Sequence, residues 1–360
     1  MAETNEVFNV KKQEFIMSEW TDESQEAISD GEVKLQILQF AYTSNNTTYA
    51  VAGDYIGYWK FFPSSIGKDW GIIPCWGLAK VTESQVDTIN VGEQFYGFFP
   101  MATHLIVQPC QIRPDGFTDV VEHRSNLPVI YNRYVRCEGD PFYDSEKEAE
   151  QLLFRPLFTT SFLIDYMLQE SSYFGATQII LTSASSKTAL GLAHSLKNGS
   201  SNQRIIGLTS NRNLDFVKSL GYYDEVLAYD QYDQIKNQPS CIVDFSGNND
   251  LQADLQTLLG DNLKYNCLVG MVHWSERTGE KKQQNKGIMF FAPTYAQNLV
   301  KEIGFSAFSE KVSSEFHSFV AQSESWMNIL YHENKEALEA LHNAITLGKI
   351  NPKEGHIVKL

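Results

Sequence analysis

Residues 176–197 (ATQIILTSASSKTALGLAHSLK) set the pattern around which the chain is organised. The apolar run at 178–181 is rich in β-branched residues and has no polar face, as a strand buried on both sides requires. Residues 182–186 are small and predict a turn. From 188 to 197, Ala189, Leu192, Ala193 and Leu196 recur at helical spacing. Strand, turn and helix form the first half of a βαβ unit. The alternation continues with a strand at 204–209 and a helix at 213–220, closed by Gly221 at a good C-cap position. Strands follow at 225–229, 241–245 and 265–269, a helix at 250–259, and a candidate sixth strand at 287–292. Strands alternating with helices predict a parallel sheet covered on both faces. Helices at 309–322 and 335–347 and a strand at 356–360 complete the chain.

The first third has a different rhythm. Residues 1–30 are mostly polar and predict a frayed lead-in carrying at most one strand. Asp30-Gly31 is a turn signal before a strand at 32–40. Residues 42–58, dense in Asn, Thr, Tyr and Gly, show no period and predict an irregular loop. Short strands with frequent turns between 81 and 107 suggest a β domain ending near residue 125. Helices are expected at 146–153 and 162–169, split by Arg155-Pro156.

Composition narrows the class. The chain has 360 residues, 42% hydrophobic and 20% charged, a length that suits two domains. Its net charge of −15 argues against nucleic-acid binding, because such a surface repels phosphate backbones. The N-terminus has no apolar core of a secretory signal, and no run approaches ~18 apolar residues, so neither export nor a membrane span is expected. Five dispersed cysteines (Cys75, Cys110, Cys137, Cys241, Cys267), without a CxxC, read as reduced thiols of a cytoplasmic protein.

The turn carries the candidate chemistry. Backbone N–H groups at a helix start, with the helix dipole, favour a phosphate. Glycines usually make this turn in a dinucleotide fold. Here Ser183, Ser185, Ser186, Lys187 and Thr188 stand there, and Ala189 still permits helix–strand approach. Serine hydroxyls can bond a phosphate, and Lys187 adds a positive charge. After the second strand, Ser210-Asn211-Arg212 offers no acid for ribose hydroxyls, and Arg212 favours a 2′-phosphate, hence NADP over NAD. The plainer alternative for Arg212 is a solvated helix-start residue. Ser186-Lys187-Thr188 with Asp244 imitates a P-loop and Walker acid, but Leu181 stands where a P-loop needs glycine. No GxSxG elbow is present. The eight histidines show no metal-type spacing. His104 and His273 lie near expected strand ends.

Several segments resemble the medium-chain dehydrogenase/reductase superfamily, in its zinc-free quinone and enoyl reductase branch. DGEVKLQILQFAYTSNN is similar to that family's opening strand and its Gly-(Val/Leu)-Asn segment, with Asn46 at the asparagine. INVGEQFYGFFP resembles the VGDRVxG strand, and FRPLFTTSFLIDYML the helix with GLTA, Thr159 and Thr160 standing there. IILTSASSKTALGLA lies at the AxxGGVG turn, while CIVDFSG and CLVGMV resemble the strands ending in DxxG and vG. GHIVKL resembles the closing strand. FFPMATHL, RPLFTTSFL and SASSKTA together resemble an uncharacterised subfamily.

The resemblance implies an α/β fold: a GroES-like β-rich domain plus a Rossmann, doubly wound parallel-sheet domain. The first would span 1–150, completed by 323–360, and bind substrate. The second would span 151–322 and bind the dinucleotide in a cleft between them. The activity implied is hydride transfer from NADPH to an activated C=C or C=O of an apolar small molecule, in a homodimer. Asn46 and either Tyr49 or Tyr55 would orient the substrate. Thr160 would lie near the nicotinamide, and Ser183, Ser185, Ser186, Lys187, Thr188, Ser210, Arg212 and Gly270 would hold the cofactor. The family's zinc ligands have no counterpart, since Cys75-Trp76-Gly77-Leu78-Ala79 offers neither histidine nor acid, so no metal is expected. For any one tyrosine, packing at a domain interface is the competing role. The competing class is a binding or interaction protein that kept the fold and lost the dinucleotide.

Overall fold

A few well-placed apolar residues fold the polar N-terminus. In the computed structural model, which describes residues 4–24, 27–199, 202–269 and 287–360, strand β1 (Thr4–Lys11) buries Val7, Phe8 and Val10. It pairs antiparallel with β2 (Ser18–Ser24), placing Phe8 opposite Trp20 with ring centroids 5.1 Å apart. The expected frayed lead-in is therefore a hairpin, anchored by a cross-strand aromatic pair.

Strand β3 (Val33–Ala41) leads into helices α1 (Ser44–Val51) and α2 (Gly53–Ile56), not the irregular loop expected over 42–58. Capping is the physical reason. The Thr43 side chain accepts from the Asn45 N–H, and the Asn46 side chain accepts from the Thr43 N–H, so two otherwise unpaired donors are satisfied. Then come β4 (Trp70–Gly71), β5 (Cys75–Ser84), β6 (Gln94–Phe99), β7 (His104–Val107), β8 (Pro109–Arg113), β9 (Gly116–Asp119) and β10 (Arg133–Arg136).

Helix α3 (Glu148–Glu170) is continuous through Pro156, where two helices were expected. Proline removes one ladder hydrogen bond and normally breaks a helix. Beyond it, the hydroxyls of Thr159, Thr160 and Ser161 donate to carbonyls four residues back. Phe158 stacks on Phe319, which adds packing to the same stretch.

Strands β11 (Gln178–Leu181), β12 (Arg204–Thr209), β13 (Glu225–Ala228), β14 (Ser240–Asp244), β15 (Leu263–Leu268) and β16 (Ile288–Met289) follow, with helices α4 (Lys187–Asn198), α5 (Leu214–Ser219) and α6 (Asn249–Leu259) among them. The six strands form one sheet in the order β13-β12-β11-β14-β15-β16, every pairing parallel. Ile180, Ile206, Leu208, Ile242, Leu251 and Leu255 are part of its buried core. The expected strand at 287–292 is only two residues long. Helix α7 (Ala292–Ile303) takes over at once, since Pro293 in its first turn has no N–H to leave unpaired.

Helix α8 (Phe305–Ser323), strand β17 (Asn328–His332), helix α9 (Lys335–Thr346) and strand β18 (Glu354–Val358) close the chain. β17 was not expected from sequence. Strands β17 and β18 join a nine-stranded sheet in the order β17-β18-β3-β5-β6-β10-β9-β8, with β7 also paired to β3. The chain divides into two compact units, Met1–Leu153 with Met327–Leu360, and Phe154–Trp326. No helix among the described residues is long and apolar enough to cross a membrane.

Candidate functional site

In the second unit the sheet reverses direction of travel at β11, whose neighbours are β12 and β14. In open α/β sheets, ligands bind beyond the carboxyl ends of the strands at this switch point. The segment placed there is 182–188. Ser183 takes φ +49°, a left-handed conformation that a glycine would adopt without cost. Its N–H donates to the Tyr229 hydroxyl at 3.2 Å, a phenol whose proton is held on by burial. The Tyr223 hydroxyl donates to the Ala184 carbonyl at 2.9 Å, and the Ala184 N–H donates to the Leu208 carbonyl. Tyr223 and Tyr229, which flank β13, and the Leu208 carbonyl of β12 thus hold a shape that a glycine-rich turn adopts alone.

The start of α4 is more open. Ser186 is its N-cap and accepts from the Ala189 N–H at 3.3 Å. Lys187 and Thr188 are half-buried in the first turn, where backbone N–H groups point out of the helix. Gly191 lets α4 approach α3 closely: a Cβ there would lie 2.9 Å from the Ser161 hydroxyl oxygen. That hydroxyl also contacts the Thr188 carbonyl at 2.7 Å. Thr160, one residue earlier on α3, is half-buried, and its hydroxyl donates to the Pro156 carbonyl.

At the end of β12, Ser210 is half-buried and Arg212 is exposed on the short 3₁₀ turn Asn211–Asn213. The Asn211 side chain donates to Asp230 at 3.3 Å, and the Asn213 side chain donates to the Ser185 hydroxyl at 2.9 Å. The structure therefore links the two segments expected to hold a cofactor, 183–188 and 210–212, through Asn213. Asp244, the acid of the P-loop imitation, accepts from the Thr182 hydroxyl, the Ser246 N–H and hydroxyl, and the Gly247 N–H. Its oxygens organise the loop after β14. Gly270 and His273 lie outside the described residues.

The candidates in the first unit sit differently. Asn46 is buried, and its amide donates to the Pro74 carbonyl at 2.9 Å while its oxygen caps α1. Tyr49 is buried against Tyr58 and Phe98, and its hydroxyl accepts from the Trp76 indole at 3.2 Å. Burial, and then the neighbouring Tyr58, pushes its phenol well above the ordinary value. Tyr55 is 72% exposed. His104 is buried, with Nδ1 beside the Thr103 hydroxyl. Among the described residues no group of three or more His, Cys, Asp or Glu could hold a metal ion.

Sequence reasoning missed Tyr223, Tyr229, Thr209 and Asn213. Their roles depend on β12 lying beside β11 and β13 beside β12, which no local pattern reports. The proximity of Asn213 to Arg212 was the one available hint.

No curated protein matches this chain. Among solved structures it is similar to the CurK enoyl reductase, at 12% identity and TM-score 0.61 with 99% of each chain covered. It is similar to CurA from Vibrio vulnificus in complex with NADPH, at 14% identity and TM-score 0.60, over 95% of this chain and 94% of that one. It is also similar to the quinone oxidoreductase from Coxiella burnetii, at 13% identity and TM-score 0.55, over 99% of this chain and 100% of the other. At such identities the shared property is the fold: a GroES-like β-rich unit and a Rossmann unit with a doubly wound parallel sheet. The model of one family, described as "Protein of unknown function (DUF2855)", matches residues 40–351, and the chain belongs to that family.

Proposed function

We propose that this chain is an NADPH-dependent, zinc-independent reductase of an activated C=C or C=O in an apolar small molecule. The observation that carries the reading is the turn 182–188 at the switch point of a parallel sheet, with Arg212 and no carboxylate opening the segment after β12. The first turn of α4, with Lys187 and Thr188, would hold the diphosphate, and Ser210 and Arg212 the 2′-phosphate. CurA of Vibrio vulnificus, which shares the fold, is a complex with NADPH. When bound, NADPH supplies a hydride. In the first unit, burial makes Tyr49 hold its proton more tightly than an ordinary phenol, and Tyr55 is the phenol that solvent reaches. Either hydroxyl can donate a proton to a developing enolate. Zinc independence rests on the donor set at 75–79, which lacks histidine and carboxylate.

One observation favours a second reading, a protein that kept the fold and lost the redox cofactor. The N–H groups of Ser183, Ala184 and Ser186 all have internal acceptors. Thermal-shift titration with NADPH, NADH and ATP separates the two readings. A rise in midpoint with NADPH, larger than with NADH, supports the reductase. No shift at millimolar NADPH would falsify it. A preference for NADH would remove only the role of Arg212.

A further inference from the structure

Ser185 explains how a turn without glycine could present a donor to a phosphate. It is only 9% exposed. Its oxygen accepts from the Asn213 amide at 2.9 Å and, more weakly, from the Thr209 hydroxyl at 3.4 Å. An amide nitrogen can only donate, so the direction of the Asn213 bond is fixed. With both lone pairs engaged, the hydroxyl hydrogen is directed away from Asn213 and Thr209. Among the described residues it has no acceptor. Buried hydroxyl hydrogens normally have one. The next residue, Ser186, begins the helix whose first-turn N–H groups would bind a diphosphate.

We propose that Asn213 is a positioning residue: by donating to Ser185 Oγ, it aims the Ser185 hydroxyl hydrogen at a diphosphate oxygen seated on the first turn of α4. The same bond pins the 3₁₀ turn that carries Arg212, so the diphosphate and 2′-phosphate segments are held in one arrangement. The inference rests on the proposed function for the identity of the cofactor. The relay itself requires only a diphosphate.

The test is calorimetric titration of the full chain with adenosine diphosphate and, separately, with NADPH. Ser185→Ala should weaken both by about tenfold, as expected for one hydrogen bond to a charged acceptor. Asn213→Ala should weaken them by about fivefold. The double variant should lose about tenfold and not the product of about fiftyfold, because Asn213 acts through Ser185. Asn213→Asp should be worse than Asn213→Ala, since a carboxylate captures the hydroxyl hydrogen and repels the phosphate. Adenosine, which has no phosphate, should not distinguish the variants. If Ser185→Ala does not fold, the comparison of Asn213→Asp with Asn213→Ala carries the test, as both variants retain Ser185. Variants binding within about twofold of wild type, or a double variant losing the full product, overturn the relay. Wild type that binds adenosine diphosphate but neither NADPH nor NADH sinks the reductase and leaves the relay standing; wild type that binds none of them overturns both.

Discussion

Segment 43–51 reads Thr-Ser-Asn-Asn-Thr-Thr-Tyr-Ala-Val, and segment 182–188 reads Thr-Ser-Ala-Ser-Ser-Lys-Thr, so residue type scarcely separates them. The structure separates them by what their polar atoms touch. In the first segment, Thr43 and Asn46 cap α1, and the Asn46 amide also holds the Pro74 carbonyl. In the second, internal bonds fix the turn but leave the Ser185 hydroxyl hydrogen without an acceptor among the described residues and the start of α4 half-buried. A polar run builds a helix end when its hydrogen bonds close on themselves. It becomes a candidate binding site when one or two remain open.

The largest effect is expected away from both segments, at Asp165 in α3. This carboxyl is buried; Oδ2 accepts from Gln169 at 2.8 Å, while Oδ1 has no hydrogen-bond partner among the described residues. Burial first, and then the charge of Glu315, raises it from 3.8 to about 7, with Lys311 opposing. The folded chain therefore keeps this proton to higher pH than the unfolded chain. Its contribution is most favourable below about pH 4 and falls as pH rises to about 7, by on the order of 4 kcal/mol. Asp165→Asn has no charge to bury. Urea unfolding should find it well above wild type at pH 8 and much closer to it at pH 5. An equal difference at both pH values would contradict this account of an open carboxylate.

Asn46→Ala attacks the closed segment. It leaves the Pro74 carbonyl and the Thr43 N–H without partners and should cost about 2 kcal/mol in denaturant unfolding. A variant that loses activity at unchanged stability would instead place Asn46 in the chemistry. Lys187→Ala and Arg212→Ala attack the open segment, each weakening NADPH by about tenfold with little effect on unfolding. Arg212→Ala should spare NADH. The smallest effect concerns strain. Ser172 and Ser183 both have left-handed backbones, and Ser172 is exposed. Ser172→Gly should stabilise the chain by about 0.5 kcal/mol, read as a small rise in thermal midpoint.

The frame of the second unit was legible because β11, β12 and β14 are apolar runs separated by helical periods. That pattern is dictated by burial on both faces of a parallel sheet. Helix α1 was not legible from periodicity, since its polar residues define no apolar face. Its signal was the Thr43–Asn46 spacing of a capping box. The continuity of α3 across Pro156 comes with aromatic packing of Phe158 on Phe319, remote in sequence. In the candidate site the turn itself could be read, but Asn213, Tyr223 and Tyr229 could not. They meet residues 183–185 only once three strands lie side by side.

The most direct test of the account is the ratio of dissociation constants for NADPH and NADH, measured calorimetrically on the intact wild-type chain. The account predicts saturable binding at one site, with NADPH favoured at least about tenfold through Arg212. The absence of saturable binding of either nucleotide at millimolar concentration would contradict it.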